Sequence, residues 1–119
     1  MSARRAADCL FCRIARRELA AKILFENEHA LAFEDIRPQA PVHVLVIPKL
    51  HFASLNEAPE GSEGLLGELL IAARRAARDQ GLSETGYRIV LNTGRDSGQD
   101  VHHIHFHVIG GRRLCWPPG

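Results

Sequence analysis

Four of the chain's seven histidines lie within six consecutive positions near the C-terminal end. Read as a β-strand, this segment places His103, His105 and His107 on one face, because side chains alternate between the two faces of a strand. The intervening Ile104 and Phe106 are apolar and would face a core. The pattern predicts a strand with one apolar face and one imidazole face. Imidazoles about 6–7 Å apart can line a pocket the size of a phosphate and its neighbours.

An imidazole face of this kind is open to three interpretations. It can be a polar strand surface that happens to carry histidine, a metal site, since histidines two apart on a strand can ligate one ion, or a nucleophilic site. Neutral imidazole is a good nucleophile near neutral pH and needs no metal. Attack on phosphorus would form a phosphohistidine that water then cleaves. Because histidine is scarce, three at alternate positions favour a functional role over chance.

The composition limits the classes of partner. The 119-residue chain is 45% hydrophobic and 24% charged, with a net charge of +1, which is typical of one globular domain and predicts no binding to nucleic acid or an anionic membrane. No apolar run reaches the length of a membrane span, and the basic start lacks a signal segment. Three cysteines favour a reducing compartment over a disulfide framework. We expect one cytoplasmic domain over 1–119, with a flexible start at 1–8 and a tail at 110–119.

Hydrophobic periodicity predicts an α+β domain built on an antiparallel sheet, because the connections between strands are of hairpin length. The run at 42–47 is nearly all apolar and suits a central strand covered on both faces. An apolar stripe predicts one long helix. The predicted elements are strands at 22–25, 30–33, 42–47, 87–92 and 101–109, a long helix at 63–80 between the N-cap Ser62 and the stop at Gly81, and a short helix at 9–17 with Asp8 as its N-cap.

Three further features carry weaker signals. The glycine-containing turn at 94–100 leads into the histidines; its backbone N–H groups can bind an anion, or it can merely connect two strands. Asp35 can hold ribose hydroxyls, or it can act as a cap or turn residue. Trp116, in a proline-rich tail, can anchor the terminus or dock on a partner subunit.

The cysteine pair Cys9 and Cys12 would share one face of the short helix, because the two residues are three apart. One such pair supplies half of a zinc site, and with His51 and His103 it can complete a Cys2His2 tetrahedron. The alternative is that both are small core residues. The residue pattern alone leaves both interpretations open.

The alternating histidines, followed by Val108 and Ile109, resemble the signature of the histidine triad (HIT) family. The resemblance covers nearly the whole chain and points to the histidine triad nucleotide-binding branch. The segments that carry it are 31–36, 39–51, Asn92, Gly98 with Gln99, and the ending 110–119, which closes on Trp116-Pro117-Pro118-Gly119.

The resemblance implies a fold and an assembly. The fold is a five-stranded antiparallel meander sheet with one long and one short helix. Two subunits pair into a homodimer with a continuous sheet, using the flank of the long helix and the strand at 87–92. The C-terminal tail approaches the partner's pocket, which gives Trp116 a role.

The resemblance also implies an activity, the hydrolysis of the P–N bond of purine nucleoside 5′-phosphoramidates, with AMP or GMP as the nucleotide and no cofactor required for catalysis. His105 matches the nucleophile, which forms a nucleotidyl-histidine, and His107 matches a donor to the phosphate oxygens. The implied catalytic set is His105, His107 and Asp100. The implied nucleotide-binding set is Leu10, Phe11, Ile14, Phe33, Asp35 (the ribose ligand), Ile36, Asn92, Gly98, Gln99, Asp100, Val101, His105 and His107. In a subset of relatives the matches of Cys9, Cys12, His51 and His103 bind zinc.

The chain departs from the family pattern at Asp100, where eukaryotic members usually have serine. An ionised carboxylate cannot donate a hydrogen bond to a phosphate and repels it, so Asp100 is protonated, turned toward the leaving amine, or selective for cationic amines. Cys115 receives no role. Two alternative functions stay open: an AMP-binding or interaction module with weak catalysis, and a dinucleoside polyphosphate hydrolase or nucleotidyl transferase.

Overall fold

The computed structural model describes residues 8–119, so the predicted flexibility of the first seven residues lies outside the described part of the chain. The predicted five strands and two helices are confirmed. Within the described range, neither helix combines the length and the apolar character needed to cross a bilayer. The elements are α1 (Leu10–Ala15), β1 (Ile23–Glu26), β2 (Ala30–Glu34), β3 (Val42–Pro48), α2 (Glu63–Asp79), β4 (Tyr87–Val90) and β5 (Phe106–Gly110), with single 3-10 turns at Leu55–Glu57 and Arg95–Ser97.

The five strands form one antiparallel sheet in the order β1-β2-β3-β5-β4. The central position of β3 agrees with its apolar sequence, and β3 is buried at nearly every residue. The order differs from a simple meander, because β5 returns between β3 and β4. The register places His107 opposite Leu45 of β3 and Val90 of β4. β4 therefore forms one edge of the sheet, and the histidine-bearing β5 lies inside it.

Helix α2 covers one face of the sheet through small side chains, which let the helix approach the strands closely. Ala73 and Ala76 are buried against Val44 and Val108. The predicted stop at Gly81 is confirmed by its φ of 79°. Ser62 occupies the N-cap position as predicted, although its side chain makes no capping hydrogen bond. Leu70 of this helix is 46% exposed.

Helix α1 covers the opposite face and forms a second apolar cluster with Leu31, Phe33, Leu45 and Ile47. The predicted N-cap was wrong by one residue. Cys9 has an extended backbone, and its sulfur accepts a hydrogen bond from the N–H of Cys12 at 3.5 Å. The thiol therefore takes the capping position that the sequence suggested for Asp8.

The predicted histidine strand at 101–109 was wrong over its first half, because β5 begins only at Phe106. The N–H of Ile104 donates to the carbonyl of Phe52 at 2.9 Å, outside the sheet ladder. Phe106 and Val108 pack in the α2 core as the alternation predicted. The irregular segment before the strand gives His103 and His105 different surroundings, as the site geometry shows.

Candidate active site

A cavity of about 390 Å³ opens beside α1, the end of β2 and the segment that leads into β5. Its wall is mostly apolar, with a small group of polar side chains. All predicted nucleotide-binding residues except Asn92, Gly98 and Gln99 line it, and sequence reasoning missed several others. The lining is Leu10, Phe11, Ile14, Leu19, Ala20, Ala21, Phe33, Glu34, Asp35, Ile36, Arg37, Leu45, Asp100, Val101, His105 and His107.

The imidazole of His105 is buried, and its Nδ1 lies 2.9 Å from the carbonyl oxygen of His103. A carbonyl only accepts hydrogen bonds, so in the neutral ring Nδ1 carries the proton and Nε2 carries the lone pair. Nε2 lies 4.0 Å from Oδ1 of Asp100, whose exposed side chain also lines the cavity. The rings of His105 and Phe11 lie nearly perpendicular at a centroid distance of 5.2 Å. His105 thus presents an unprotonated nitrogen on the cavity side.

His43 and His107 form an imidazole pair, and this pair gives His107 the opposite tautomer from that of His105. The backbone N–H of Gln39 donates to Nδ1 of His43 at 3.0 Å, so the proton of neutral His43 sits on Nε2. That Nε2 lies 2.9 Å from Nδ1 of His107, which accepts the hydrogen bond. The remaining nitrogen of His107, Nε2, therefore carries a proton. His107 offers a hydrogen-bond donor where His105 offers a lone pair.

His43 is a residue of the histidine cluster that sequence reasoning missed. It lies within the apolar run at 42–47, whose pattern predicted only a central strand. The sequence signal that could have identified it is its position inside a predicted central strand, because a histidine there is buried and needs a hydrogen-bond partner. In β3 it alternates with Val44 and shares a face with Leu45, which lies opposite His107.

Burial keeps this imidazole pair neutral. Loss of solvent, and then the neighbouring His105 and His43, together lower the pKa of His107 to about 4. Burial also lowers the pKa of His43, against the opposing attraction of Asp35. Both rings are therefore uncharged near pH 7, as the assigned tautomers require.

Asp35 serves in the turn and also lines the cavity. Its Oδ1 accepts a hydrogen bond from the backbone N–H of Arg37 at 2.8 Å, the contact expected of a turn residue. Its Oδ2 lies 3.5 Å from Nε2 of His43. The two interpretations of Asp35 left open by the sequence are therefore compatible in one side chain.

The glycine-containing turn is braced by Gln99. Its Oε1 accepts from the N–H of Gly94 at 3.0 Å, and its Nε2 donates to the carbonyls of Ala53 and Val101 at 2.7 and 3.0 Å. Gly98 has a φ of 87°, the left-handed conformation that favours glycine. The side chain of Gln99 therefore holds the turn in place instead of lining the cavity. The residues that follow it, Asp100 and Val101, do line the cavity.

The four predicted zinc ligands lie together on the other side of α1. Nδ1 of His103 is 3.4 Å from Sγ of Cys9 and 3.5 Å from Sγ of Cys12. Nδ1 of His51 is 3.3 Å from Sγ of Cys12 and 3.1 Å from Nδ1 of His103. All four candidate ligand atoms lie within 4.8 Å of one another. We call these residues the Cys–His cluster.

The chemistry of the Cys–His cluster fits zinc. Zn–S bonds of about 2.3 Å and Zn–N bonds of about 2.0–2.1 Å place tetrahedral ligands roughly 3.3–3.8 Å apart, close to the separations found. Nε2 of His103 lies 2.8 Å from the carbonyl of Pro48, so Nδ1 carries the lone pair that faces the sulfurs. Burial lowers the pKa of His103 to about 4, which keeps Nδ1 unprotonated. Burial, then the neighbouring Cys9, raises the pKa of Cys12 to about 11, so metal binding would have to displace a thiol proton.

The fold and the site together define a class of protein: a small α+β domain whose sheet carries a histidine cluster at the edge of an apolar cavity. A family model described as the HIT domain matches residues 16–114. The chain belongs to the HIT family, which confirms the resemblance inferred from the alternating histidines.

Solved structures agree with this assignment. A HIT family hydrolase from Legionella pneumophila Philadelphia 1 is 51% identical, with a TM-score of 0.91 over 94% of this chain and 100% of that one. A histidine triad nucleotide-binding protein from Candida albicans is 33% identical, with a TM-score of 0.80 over 92% and 83% of the two chains. A zinc-bound histidine triad family protein from Mycobacterium smegmatis is 35% identical, with a TM-score of 0.77 over 94% and 83%. The chain thus has the fold of HIT family hydrolases.

Proposed function

We propose that this chain hydrolyses the P–N bond of purine nucleoside 5′-phosphoramidates through a nucleotidyl-histidine intermediate on His105. The observation that carries the proposal is the tautomer of His105. Its Nδ1–H donates to the carbonyl of His103 at 2.9 Å, which leaves Nε2 as an unprotonated nitrogen beside the cavity. Such a nitrogen is a nucleophile that needs neither a metal nor a separate base.

The reaction takes two steps. In the first, the Nε2 lone pair forms a bond to phosphorus, the P–N bond breaks, and its electron pair goes to the leaving nitrogen, which takes up a proton. In the second, the oxygen of water attacks phosphorus, the bond to Nε2 breaks, and water loses a proton as the nucleoside monophosphate departs. Nδ1–H of His105 donates to the His103 carbonyl throughout, so the positive charge on the intermediate's ring faces an acceptor.

His107 supplies the complementary contact to the phosphate. Its Nδ1 accepts from His43, so its Nε2–H can donate to a non-bridging oxygen on which negative charge develops. The low pKa of His107 keeps this donor neutral at pH 7. In this proposal Gly98 and Gln99 act by shaping the phosphate-side turn, whereas Asp100 and Val101, which line the cavity, meet the substrate.

The apolar wall of the cavity supports a purine base as the remaining part of the substrate. Phe11 and Phe33 meet edge to face at a centroid distance of 5.5 Å, and both rings belong to the wall of the cavity. Leu10, Ile14 and Ile36 complete the proposed base site. Asp35, which is part of the same wall, is the proposed ligand of the ribose hydroxyls.

We further propose that the Cys–His cluster holds one structural zinc ion. The donor set, the separations and the tautomer of His103 support it, and so does the zinc-bound relative. Bound there, zinc would tie the start of α1 to the loop after β3 and to the segment before β5. The chemistry at the cavity does not pass through it.

We also propose that the chain forms a homodimer through β4, the edge strand of the sheet, and acts in the cytoplasm. Tyr87 in β4 and Ile71 in α2 are exposed apolar side chains on elements that the sequence assigned to the contact. Trp116 is 80% exposed, and Arg88 holds the tail by donating to the carbonyl of Cys115 at 2.8 Å. A partner subunit would cover this tryptophan.

The decisive experiment compares wild type with His105→Ala on a fluorogenic adenosine 5′-phosphoramidate. We expect kcat to fall by about a thousandfold or more, with AMP binding retained by calorimetry. His29→Ala is the matched control, because that imidazole is half exposed in the β1–β2 turn and should leave the rate unchanged. Mass spectrometry of an acid-quenched reaction should place the adenylyl group on residue 105.

The same assay tests the alternatives. Tight AMP binding by wild type without turnover would favour a binding module and overturn the proposed activity. Efficient cleavage of a dinucleoside polyphosphate, with the phosphoramidate left intact, would favour the polyphosphate hydrolase. Adenylation of any residue other than His105 would refute the assigned nucleophile.

A further inference from the structure

Asp100 places a carboxylate beside the proposed nucleophile without a basic partner. Its Oδ1 lies 4.0 Å from Nε2 of His105, and its side chain is 83% exposed. Within residues 8–119, no lysine or arginine forms an ion pair with it. The other carboxylates of the cavity wall are engaged: Glu34 pairs with Lys22 at 3.3 Å, and Asp35 accepts from the backbone N–H of Arg37.

This arrangement is unfavourable for a simple phosphoramidate. Phosphorus must come to Nε2 of His105, so the anionic phosphate lies within a few ångströms of the Asp100 carboxylate. At that range two like charges repel appreciably even near a protein surface. A positive charge on the substrate, close to both, would convert the repulsion into attraction.

We propose that Asp100 selects substrates whose leaving amine carries a second, positively charged group. The substrate class is nucleoside 5′-phosphoramidates of diamines or basic amino acids, in which one nitrogen is bonded to phosphorus and another is protonated. The inference rests on the proposed function and assigns its leaving-group specificity. Because Asp100 is exposed at the cavity mouth, the cationic end of the leaving group lies against it while the nucleotide fills the interior.

The same turn contains a matched control in Asp96. Its carboxylate accepts from Nε of Arg95 at 2.8 Å and is 88% exposed, and Asp96 is not a lining residue of the cavity. Asp96→Asn and Asp100→Asn remove the same charge from neighbouring positions. Only the second removes a carboxylate that faces His105.

The test uses two adenosine 5′-phosphoramidates of equal length, one made with 1,4-diaminobutane and one with pentylamine. At low ionic strength we expect the wild-type kcat/KM to favour the diamine compound about tenfold, or about 1.4 kcal/mol. In Asp100→Asn and Asp100→Ser the ratio should fall to about twofold or less, through a slower diamine reaction and a faster pentylamine reaction. Asp96→Asn should keep the wild-type ratio.

The outcomes separate this inference from the activity on which it rests. If wild type cleaves both compounds and Asp100→Asn leaves their ratio unchanged, the assigned specificity is wrong and the activity stands. If Asp100→Asn slows both compounds equally, Asp100 acts on the amine common to both, for instance as its acid, and the inference fails. If wild type cleaves neither compound, the proposed activity fails, and the specificity fails with it.

Discussion

His103 and His105 are two residues apart, and they belong to clusters with opposite properties. His103 is fully buried and presents Nδ1 to two thiols and a second imidazole. His105 presents Nε2 to an open cavity that contains a carboxylate. In each ring, one nitrogen donates to a backbone carbonyl, and the other nitrogen is therefore the one with the lone pair. Nε2 of His103 donates to Pro48, and Nδ1 of His105 donates to His103.

This difference shows how one histidine-rich segment can serve both a metal site and a nucleophile. A carbonyl acceptor fixes the tautomer, and the tautomer decides which lone pair is available. His103 also joins the Cys–His cluster to the cavity. Its backbone carbonyl accepts the hydrogen bond from the ring of His105, while the imidazole of His103 faces the thiols. The Cys–His cluster should therefore act on stability, and the cavity histidines on turnover.

The largest expected effect comes from emptying the Cys–His cluster. Wild type should contain about one zinc per chain by plasma mass spectrometry. The double variant Cys9→Ser/Cys12→Ser should contain none and lose at least about 3 kcal/mol in the free energy of unfolding, because a buried metal links three separate segments. The kcat of the folded double variant should stay within about tenfold of wild type, since no cavity residue changes.

Cys115→Ser is the control for this prediction, because that thiol is exposed in the tail. It should keep both the zinc and the stability. If wild type binds no zinc when titrated at neutral pH, the cluster is a metal-free part of the core. If the double variant instead loses turnover as completely as His105→Ala, the division between the two clusters breaks down.

An intermediate effect is expected at His43, which acts on the substrate only through His107. His43→Leu, whose side chain has no hydrogen-bond donor, should lower kcat by about 10- to 100-fold while zinc content stays at the wild-type level. Nitrogen-15 chemical shifts should report a single Nε2–H tautomer of His107 in wild type. In the variant they should report a mixture of both tautomers, because the donor to Nδ1 is lost. His29→Ala should change neither quantity. An unchanged His107 tautomer together with a lower kcat would show that His43 is not a positioning residue.

The sequence predicted the parts of the molecule that depend on local periodicity. The apolar run at 42–47 became the central strand, and the apolar stripe at 63–80 became α2. The alternation of His107 with Phe106 and Val108 correctly separated the core face from the polar face within β5. These features follow from chain geometry alone, since an apolar face must be buried whatever its partner.

What the sequence could not predict depends on contacts between distant segments. The histidine strand begins late because the N–H of Ile104 bonds to Phe52, a partner that no periodicity reveals. The position of β5 between β3 and β4 also depends on which strands pair with each other, and local periodicity does not reveal this. The tautomers of His103 and His105 could be assigned only once the carbonyls of Pro48 and His103 were located. The role of His43 could be assigned only from its distance to His107.

The smallest expected effect concerns pH and separates His107 from the Cys–His cluster. Burial lowers the pKa of His107 to about 4 in the folded protein, below the value near 6.5 of an unfolded chain. Between those values the unfolded state binds more protons, so stability falls as the pH drops below about 6.5. From pH 7 to 5 the contribution of His107 should be about 1–2 kcal/mol, limited by its partial exposure.

His107→Asn isolates this contribution, because asparagine does not titrate and any loss of zinc on acidification affects both proteins alike. Glu18 and Glu26, whose pKa values are lowered by their basic partners, titrate below this window. Urea unfolding at pH 7 and pH 5 should therefore show a smaller loss for His107→Asn than for wild type. Equal losses would mean that His107 is solvated like a surface histidine, and the neutral donor assigned to the cavity would then be wrong.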